Sequence, residues 1–341
     1  MTNDAEQTHT VYIIGAGASH AVCKFPLLAG FLKDCRTDIE ARADLREYLE
    51  RRFGGNGRDA LDANLEDVLA DLDNTLFGLG QVWYGSASHP ERRQAQIIRS
   101  QLLEVIQKGL SVDDESGESS AEVRGNYNRV LGKLTGADTV ITFNYDRGLD
   151  YCSGMRPHEY VMNPDINYLG AEELAARNEP WLLHLHGSLD FLVCGNVDCP
   201  NSWRILGPRK SSGARICGTC GADLEIAIVP PSMTKSFQRY PLLSVLARIA
   251  KERLVTAKRI VIWGFSCPST DHHVAWLLRS CRRGSTDNEC LRRIDVIDPE
   301  AASVLHRFKV LLAPGQTTEC RLFLDHEKYV AANEADKPPS A

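Results

Sequence analysis

Four cysteines, an asparagine–aspartate pair and two histidines are the residues of this chain best suited to chemistry. Four residues separate Cys194 from Cys199, seventeen residues follow, and two separate Cys217 from Cys220. Two close pairs at this separation read as a four-thiolate zinc ribbon, in which each pair turns around one tetrahedral ion. Gly195, Gly218 and Gly221 supply backbone freedom beside the pairs. Four thiolates leave no open position for water, so this Zn2+ is expected to be structural, its binding energy being folding energy. The other cysteines, Cys23, Cys35, Cys152, Cys267, Cys281, Cys290 and Cys320, are scattered and read as core or surface thiols.

Three apolar runs end abruptly in residues able to touch a ligand. They are Val11-Tyr-Ile-Ile-Gly15-Ala16-Gly17-Ala-Ser19, Thr142-Phe143-Asn144-Tyr-Asp146 and His184-Leu-His186-Gly187. Strands of an open parallel sheet end this way at the crevice where ligands bind. The glycines would let the backbone approach a pyrophosphate, and the following helix would offer its N-terminal N–H groups. Together the three runs point to a nucleotide site. The loop lacks the third glycine of the dinucleotide fingerprint, with His20 or Ala21 in its place, and no acidic residue on a second strand appears about twenty positions on. That argues against a dehydrogenase.

His184 and His186, two apart on a strand, would face the same side. A two-histidine metal site lacks a third ligand at suitable spacing, and Gly187 marks His186 as the residue at the strand end. His184 reads as a structural or hydrogen-bonding histidine. His272 and His273 follow Asp271 at the start of a helical stretch and read as surface or helix-terminal residues.

The elements that must position these residues can be read from periodicity. Residues 11–14 form a short buried strand. Helical spacing then runs from about Leu27 to Leu134, with Phe31, Ile39, Leu45 and Leu49 on one stretch. Leu61, Leu65, Val68, Leu69, Leu72 and Leu76 lie on a second, and Ile97, Ile98, Leu102, Leu103 and Ile106 face inward on a third, Glu91 to Lys108. Ser111 to Ser120 is polar and reads as a loop. Further strands are expected at Asp138 to Phe143, Trp181 to Leu185, Glu225 to Val229, Arg259 to Gly264 and Arg293 to Ile297. Helices fit at Leu242 to Arg253 and Asp271 to Cys281. The pattern predicts an α/β, Rossmann-type doubly wound parallel sheet with a helical insertion and a small zinc-ribbon module. The expected divisions are 1–26 (first strand and glycine loop), 27–135 (helical insertion), 136–192 (nucleotide domain continued), 193–230 (zinc module), 231–330 (nucleotide domain completed) and 331–341 (flexible tail).

The chain's 341 residues allow one large or two modest domains, and 43% hydrophobic with 25% charged residues is an ordinary globular composition. A net charge of −6 argues against duplex nucleic acid as the main partner, and the basic stretch Arg204 to Lys210 reads as a solvated loop. No apolar run approaches the ~20 residues that span a bilayer, so no membrane partner is expected. The polar, acidic stretch Met1 to Thr10 is unlike a signal peptide, and a cytoplasmic location is expected.

In order along the chain, Gly15-Ala16-Gly17-Ala-Ser19, Thr142-Phe143-Asn144-Tyr-Asp146, His186-Gly187, the four cysteines and Gly264-Phe-Ser266 resemble the blocks of sirtuins. Asn64-Leu65-Glu66 resembles an element found between the first two blocks in bacterial sirtuin-like proteins. The resemblance covers most of residues 11–300. It implies a Rossmann-type NAD domain, a zinc-bearing module and cleavage of the nicotinamide–ribose bond. By the same resemblance, Gly15, Ala16, Gly17 and Ser19 line the phosphate and ribose site, and Thr142, Asn144 and Asp146 lie near the nicotinamide ribose. His186 is then the catalytic histidine, Gly264 and Ser266 touch NAD from a later strand end, and Asp298 lies near the adenosine. Two departures stand out. Sirtuin deacylases usually carry Gly-Ile-Pro-Asp-Phe-Arg after the glycine loop, where this chain has Cys23-Lys-Phe-Pro26, and Gln where it has Phe143. Both departures resemble bacterial proteins that hydrolyse NAD, often in defence against phage.

These residue types suit that chemistry. Breaking the glycosidic C–N bond leaves an oxocarbenium-like sugar, and an Asn amide can orient a water or ribose hydroxyl without carrying charge. A histidine can take the proton, and Asp146 could stabilise the cation or hydrogen-bond its own loop. An NAD glycohydrolase (an N-glycosyl hydrolase) is the leading expectation. An NAD-dependent protein deacylase and a non-catalytic sensor of NAD or ADP-ribose stand as alternatives. A free NADase would harm its own cell, so a regulatory partner protein or a homo-oligomer is expected, with residues 27–135 as the contact surface.

Overall fold

The computed structural model describes residues 9–86, 88–110, 118–132, 134–149, 180–196, 198–203, 216–229, 240–268, 271–281 and 291–335. Cys152, Cys290 and the Arg204 to Lys210 stretch lie outside the described residues, as do residues 111–117 of the expected loop. The chain divides into two compact units. One comprises Met1–Cys23, Asp113–Ile228 and Ser236–Ala341, and the other Lys24–Val112 with Val229–Lys235.

The first unit is built on a six-stranded sheet of β1 (Thr10–Ile14), β2 (Thr139–Thr142), β3 (Trp181–His184), β6 (Arg259–Trp263), β7 (Arg293–Ile297) and β8 (Glu319–Phe323). Its order is β3-β2-β1-β6-β7-β8 and every pairing is parallel. From β1 the chain builds outward through β2 and β3, then returns to build β6, β7 and β8 on the other side. The switch point therefore lies between β1 and β6, where Rossmann-type sheets open their crevice. β1, β2 and β3 are buried along their whole length, which is why they read as unbroken apolar runs. β8 was not legible, since it is an edge strand whose residues are half-buried or exposed.

Helices α1 (Ala16–Cys23), α8 (Glu118–Leu131), α9 (Pro241–Thr256), α10 (His272–Ser280), α11 (Ala301–Leu312) and α12 (His326–Ala335) belong to the same unit. Tyr127, Val130 and Leu131 of α8 join Ile14, Val140, Val261, Trp263 and Ile297 in one core, together with Tyr329 and Val330 of α12. α12 thus continues to Ala335, past the point at which the tail was expected to begin. Asp295, fully buried in mid-strand, is met by Arg259 Nε at 2.8 Å, Arg293 Nε at 2.9 Å and Arg321 Nε at 3.3 Å. This cluster explains a carboxylate in an otherwise apolar strand, because a buried charge persists only when paired.

One expected strand has a different place. Glu225 to Val229 forms β5 (Leu224–Ile228), which pairs antiparallel with β4 (Gly187–Cys194) in a separate two-stranded sheet. Apolar content alone does not distinguish a core strand from such a ribbon.

The second unit is helical, with α2 (Phe31–Asp34), α3 (Arg36–Glu40), α4 (Ala43–Phe53), α5 (Leu65–Phe77), α6 (Leu79–Tyr84) and α7 (Pro90–Gly109). Leu65, Val68, Leu69, Leu72 and Leu76 of α5 are all buried, as their spacing requires. Asn64 caps α5, its Oδ1 accepting from Glu66 N at 2.9 Å. On α7, Ile98, Leu102, Leu103 and Ile106 face inward, whereas Ile97 is 52% exposed. Buried Ile98 and Ile97 are adjacent, and a helix turns successive residues about 100° apart. Among the described residues no helix is long and apolar enough to cross a membrane.

Candidate functional site

Parallel register gathers the sequence motifs along one edge. Ile14, Thr142, His184, Trp263 and Ile297 stand side by side across β1, β2, β3, β6 and β7. The next residues, Gly15, Phe143, Leu185, Gly264 and Asp298, therefore leave the sheet at its C-terminal rim.

Around the switch point the glycines pack on one another. An added Cβ on Gly15 would lie 2.5 Å from Gly264 O, and one on Gly17 would lie 2.9 Å from Gly264 Cα. Gly264 itself has φ +61°. Gly15 N donates to Trp263 O and Gly17 N to Gly264 O, each at 3.0 Å. Gly15 and Gly17 are the glycines expected to admit a pyrophosphate; the missing side chains of Gly15, Gly17 and Gly264 also let the loops after β1 and β6 meet backbone to backbone. Ala16 opens α1, Ser266 is exposed, and Asp298 accepts from Glu300 N at 2.8 Å in the turn before α11.

A buried polar chain ties the β2 end to two helices. Thr142 Oγ1 accepts from Asn144 N at 3.1 Å, Asn144 Nδ2 donates to Ser19 Oγ at 2.9 Å, and Ser19 Oγ lies 3.0 Å from Tyr127 OH. All four residues are buried. Asp146 accepts from Gly148 N at 2.8 Å, closing its own turn. Burial pushes the nearby Cys23 thiol up to about 12, with the Asp146 carboxylate adding to the shift.

The two histidines at the end of β3 separate. His184 is fully buried, with Nδ1 3.5 Å from Asn144 O and its ring edge-on to Phe191. β3 ends at His184, so the alternation of a strand does not carry on to His186. The Nε2 of His186 instead lies 2.9 Å from His273 Nε2 and 3.9 Å from Asp271 Oδ1. His273 is thus no mere surface residue of the helix start. Phe143 stacks on Phe265 at 4.3 Å between centroids and meets the His186 ring edge-on at 5.0 Å. Sequence reasoning missed Tyr127, Asp271 and the role of His273, because nothing in their local patterns ties them to strand ends over a hundred or eighty residues away.

The tetracysteine set assembles at the far end of the β4–β5 ribbon. The Sγ atoms of Cys194, Cys199, Cys217 and Cys220 all lie within 4.8 Å of one another. Cys194 and Cys220 are 3.4 Å apart and Cys199 and Cys217 3.8 Å. Tetrahedral zinc with Zn–S bonds near 2.3 Å needs sulfurs roughly 3.8 Å apart, so these residues fit the ion. Gly221, with φ +74°, donates its N–H to Cys217 O at 2.9 Å and turns the second pair. Hydrogen bonds from Asn201 and from the Thr219 and Cys220 backbone hold the Cys217 thiol down to about 6, favouring the thiolate that a metal binds.

No family model and no curated protein matches the chain. Among solved structures it is similar in fold to Sir2 homologues. A Sir2 homolog–NAD complex shows 13% identity and a TM-score of 0.44, covering 96% of this chain and 90% of that one. A mutant Sir2 homologue with 2'-O-acetyl ADP ribose shows 13% identity and a TM-score of 0.42, covering 98% and 96%. A Sir2–p53 peptide–NAD+ complex shows 12% identity and a TM-score of 0.39, covering 96% and 92%.

Proposed function

We propose that this chain is a sirtuin-like NAD glycohydrolase, which cleaves the nicotinamide–ribose bond to give nicotinamide and ADP-ribose. The observation that carries this reading is the placement of Asn144 and His186 after neighbouring strands, on the rim that holds the Gly15 and Gly264 loops. NAD would lie across that rim, with its phosphates and riboses toward Gly15, Ala16, Gly17 and Ser19. Thr142, Asn144 and Asp146 would face the nicotinamide ribose, and Gly264, Ser266 and Asp298 the remainder.

With its Nδ2 hydrogen-bonded to Ser19, Asn144 keeps its carbonyl Oδ1 to accept from an attacking water. The His186 imidazole takes the proton as the C1'–oxygen bond forms and nicotinamide departs with the glycosidic electron pair. Asp146 holds its loop through Gly148 and adds negative charge near the ribosyl cation. Hydrolysis is favoured over deacylation by Phe143, which sets an apolar ring against His186 where deacylases usually carry an amide. Control by self-association or a partner protein at the helical unit, action in the cytoplasm and a role in defence against phage belong to the same reading.

The test is product analysis after incubating the protein, holding a single zinc equivalent at its cysteines, with NAD, with and without an acetyl-lysine peptide. Nicotinamide and free ADP-ribose are expected without peptide, with His186→Ala and Asn144→Ala each slowed by about 10²- to 10⁴-fold. Nicotinamide formed only with peptide, alongside acetyl-ADP-ribose, would assign a deacylase. Binding of NAD without turnover would assign a sensor.

A further inference from the structure

We propose that His186, Asp271 and His273 form a second metal site, for a divalent ion of the nitrogen–oxygen class such as Zn2+, Co2+ or Ni2+, apart from the tetracysteine set. Each of the three offers one donor atom, and these atoms all lie within 4.8 Å of one another. His186 Nε2 is 2.9 Å from His273 Nε2 and 3.9 Å from Asp271 Oδ1. An ion bound at about 2.0–2.2 Å to imidazole nitrogen and carboxylate oxygen holds adjacent donors roughly 2.9–3.5 Å apart. The His186–His273 separation falls at the lower end of that range and the His186–Asp271 separation lies above it, so the donors close on an ion by modest side-chain adjustment.

The donor set is chemically selective. Two imidazoles and one carboxylate match borderline divalent ions with open coordination positions, whereas four thiolates match soft, closed sites. The single carboxylate partly offsets the charge of a divalent ion in a buried place, His186 and Asp271 being only 2% and 3% exposed. The backbone also holds the donors in place. Asp271 N donates to Pro268 O and Ala275 N to Asp271 O, each at 3.0 Å, which fixes the start of α10. Leu185 N donates to Thr142 O at 3.0 Å, and Gly187, at φ +83°, turns the chain just after His186. Asp271 and His273 come from one helix start and His186 from a strand end, so the site exists only in the folded sheet unit.

An ion on His186 Nε2 would add positive charge to the imidazole that takes a proton in the proposed hydrolysis, so metal would inhibit turnover; this consequence rests on the proposed function. The site itself does not, and its test reads metal rather than activity. The full-length protein is loaded with zinc at the cysteines and dialysed against Co2+, and its metal content and visible spectrum are then measured. We expect two metal equivalents in the parent protein, the second giving cobalt d–d bands without thiolate charge transfer. Asp271→Asn and His273→Gln should each lose the second equivalent and its bands while keeping one zinc, with a circular-dichroism spectrum and melting transition like the parent's to report that the variant is folded. A parent protein holding a single equivalent, or variants that bind the second as the parent does, would overturn the proposal and leave the two histidines as a hydrogen-bonded pair.

Discussion

Asn144 at the end of β2 donates its side-chain amide to Ser19 Oγ on α1 at 2.9 Å. Ser19 in turn lies 3.0 Å from Tyr127 OH on α8. The orientation of the proposed water-positioning amide is therefore set by two helices, one of which carries no recognisable motif. Tyr127→Phe keeps the ring in the core and removes one hydroxyl from the chain. Losing one buried hydrogen bond costs about 1–2 kcal/mol, so kcat for nicotinamide release should fall about 5- to 30-fold. KM should stay nearly constant, which steady-state kinetics at saturating and limiting NAD would check.

Gly264 combines a left-handed backbone with close packing. At φ +61°, a Cβ there would overlap Ala18 N and lie 2.5 Å from the Gly17 carbonyl carbon. Gly264→Ala should destabilise the protein by at least about 2 kcal/mol through strain and displacement of the Gly15–Gly17 loop. Gly218→Ala, where a Cβ meets nothing within 4 Å, should change stability little. Urea unfolding of both variants gives the comparison.

Zinc removal should act locally. Cys217→Ser, or chelation of the parent protein, should release one zinc and loosen β4 and β5 near the cysteines, because metal binding there is folding energy. Hydrogen exchange followed by mass spectrometry should show faster exchange in residues 187–196 and 216–228, with β1, β6 and β7 still protected. Equal loss of protection across the six-stranded sheet would contradict a local structural role.

His9 predicts the direction of one pH effect. Burial, helped by the positive charge of Arg253, lowers its pKa below the ordinary value. Its Nδ1 lies 3.0 Å from Thr256 Oγ1, while its buried Nε2 has no hydrogen-bond partner among the described residues. The unfolded chain thus takes up a proton near pH 6.5 that the folded chain refuses until lower pH. This contribution to stability is complete above the unfolded pKa and declines as pH falls toward the folded one. Chemical denaturation between pH 7.5 and 5.5 should show that decline, less steep in His9→Gln.

Much of this architecture is legible in the chain itself. Buried parallel strands read as apolar runs, so β1, β2, β3, β6 and β7 could be placed, and the residues that end them marked the rim of the proposed site. The close cysteine pairs likewise announced their cluster, because a tetrahedral ion demands local turns that leave a fixed spacing. The leucine spacing of α5 identified its buried face for the same reason: local geometry repeats in the sequence. Only the tertiary structure placed Tyr127 behind Ser19, set His273 and Asp271 against His186, and put β5 on a ribbon with β4. It also packed Gly15 and Gly17 on Gly264. Those relationships join residues tens to hundreds of positions apart through sheet order and register, and no short-range pattern of residue types encodes which strand end will meet which helix.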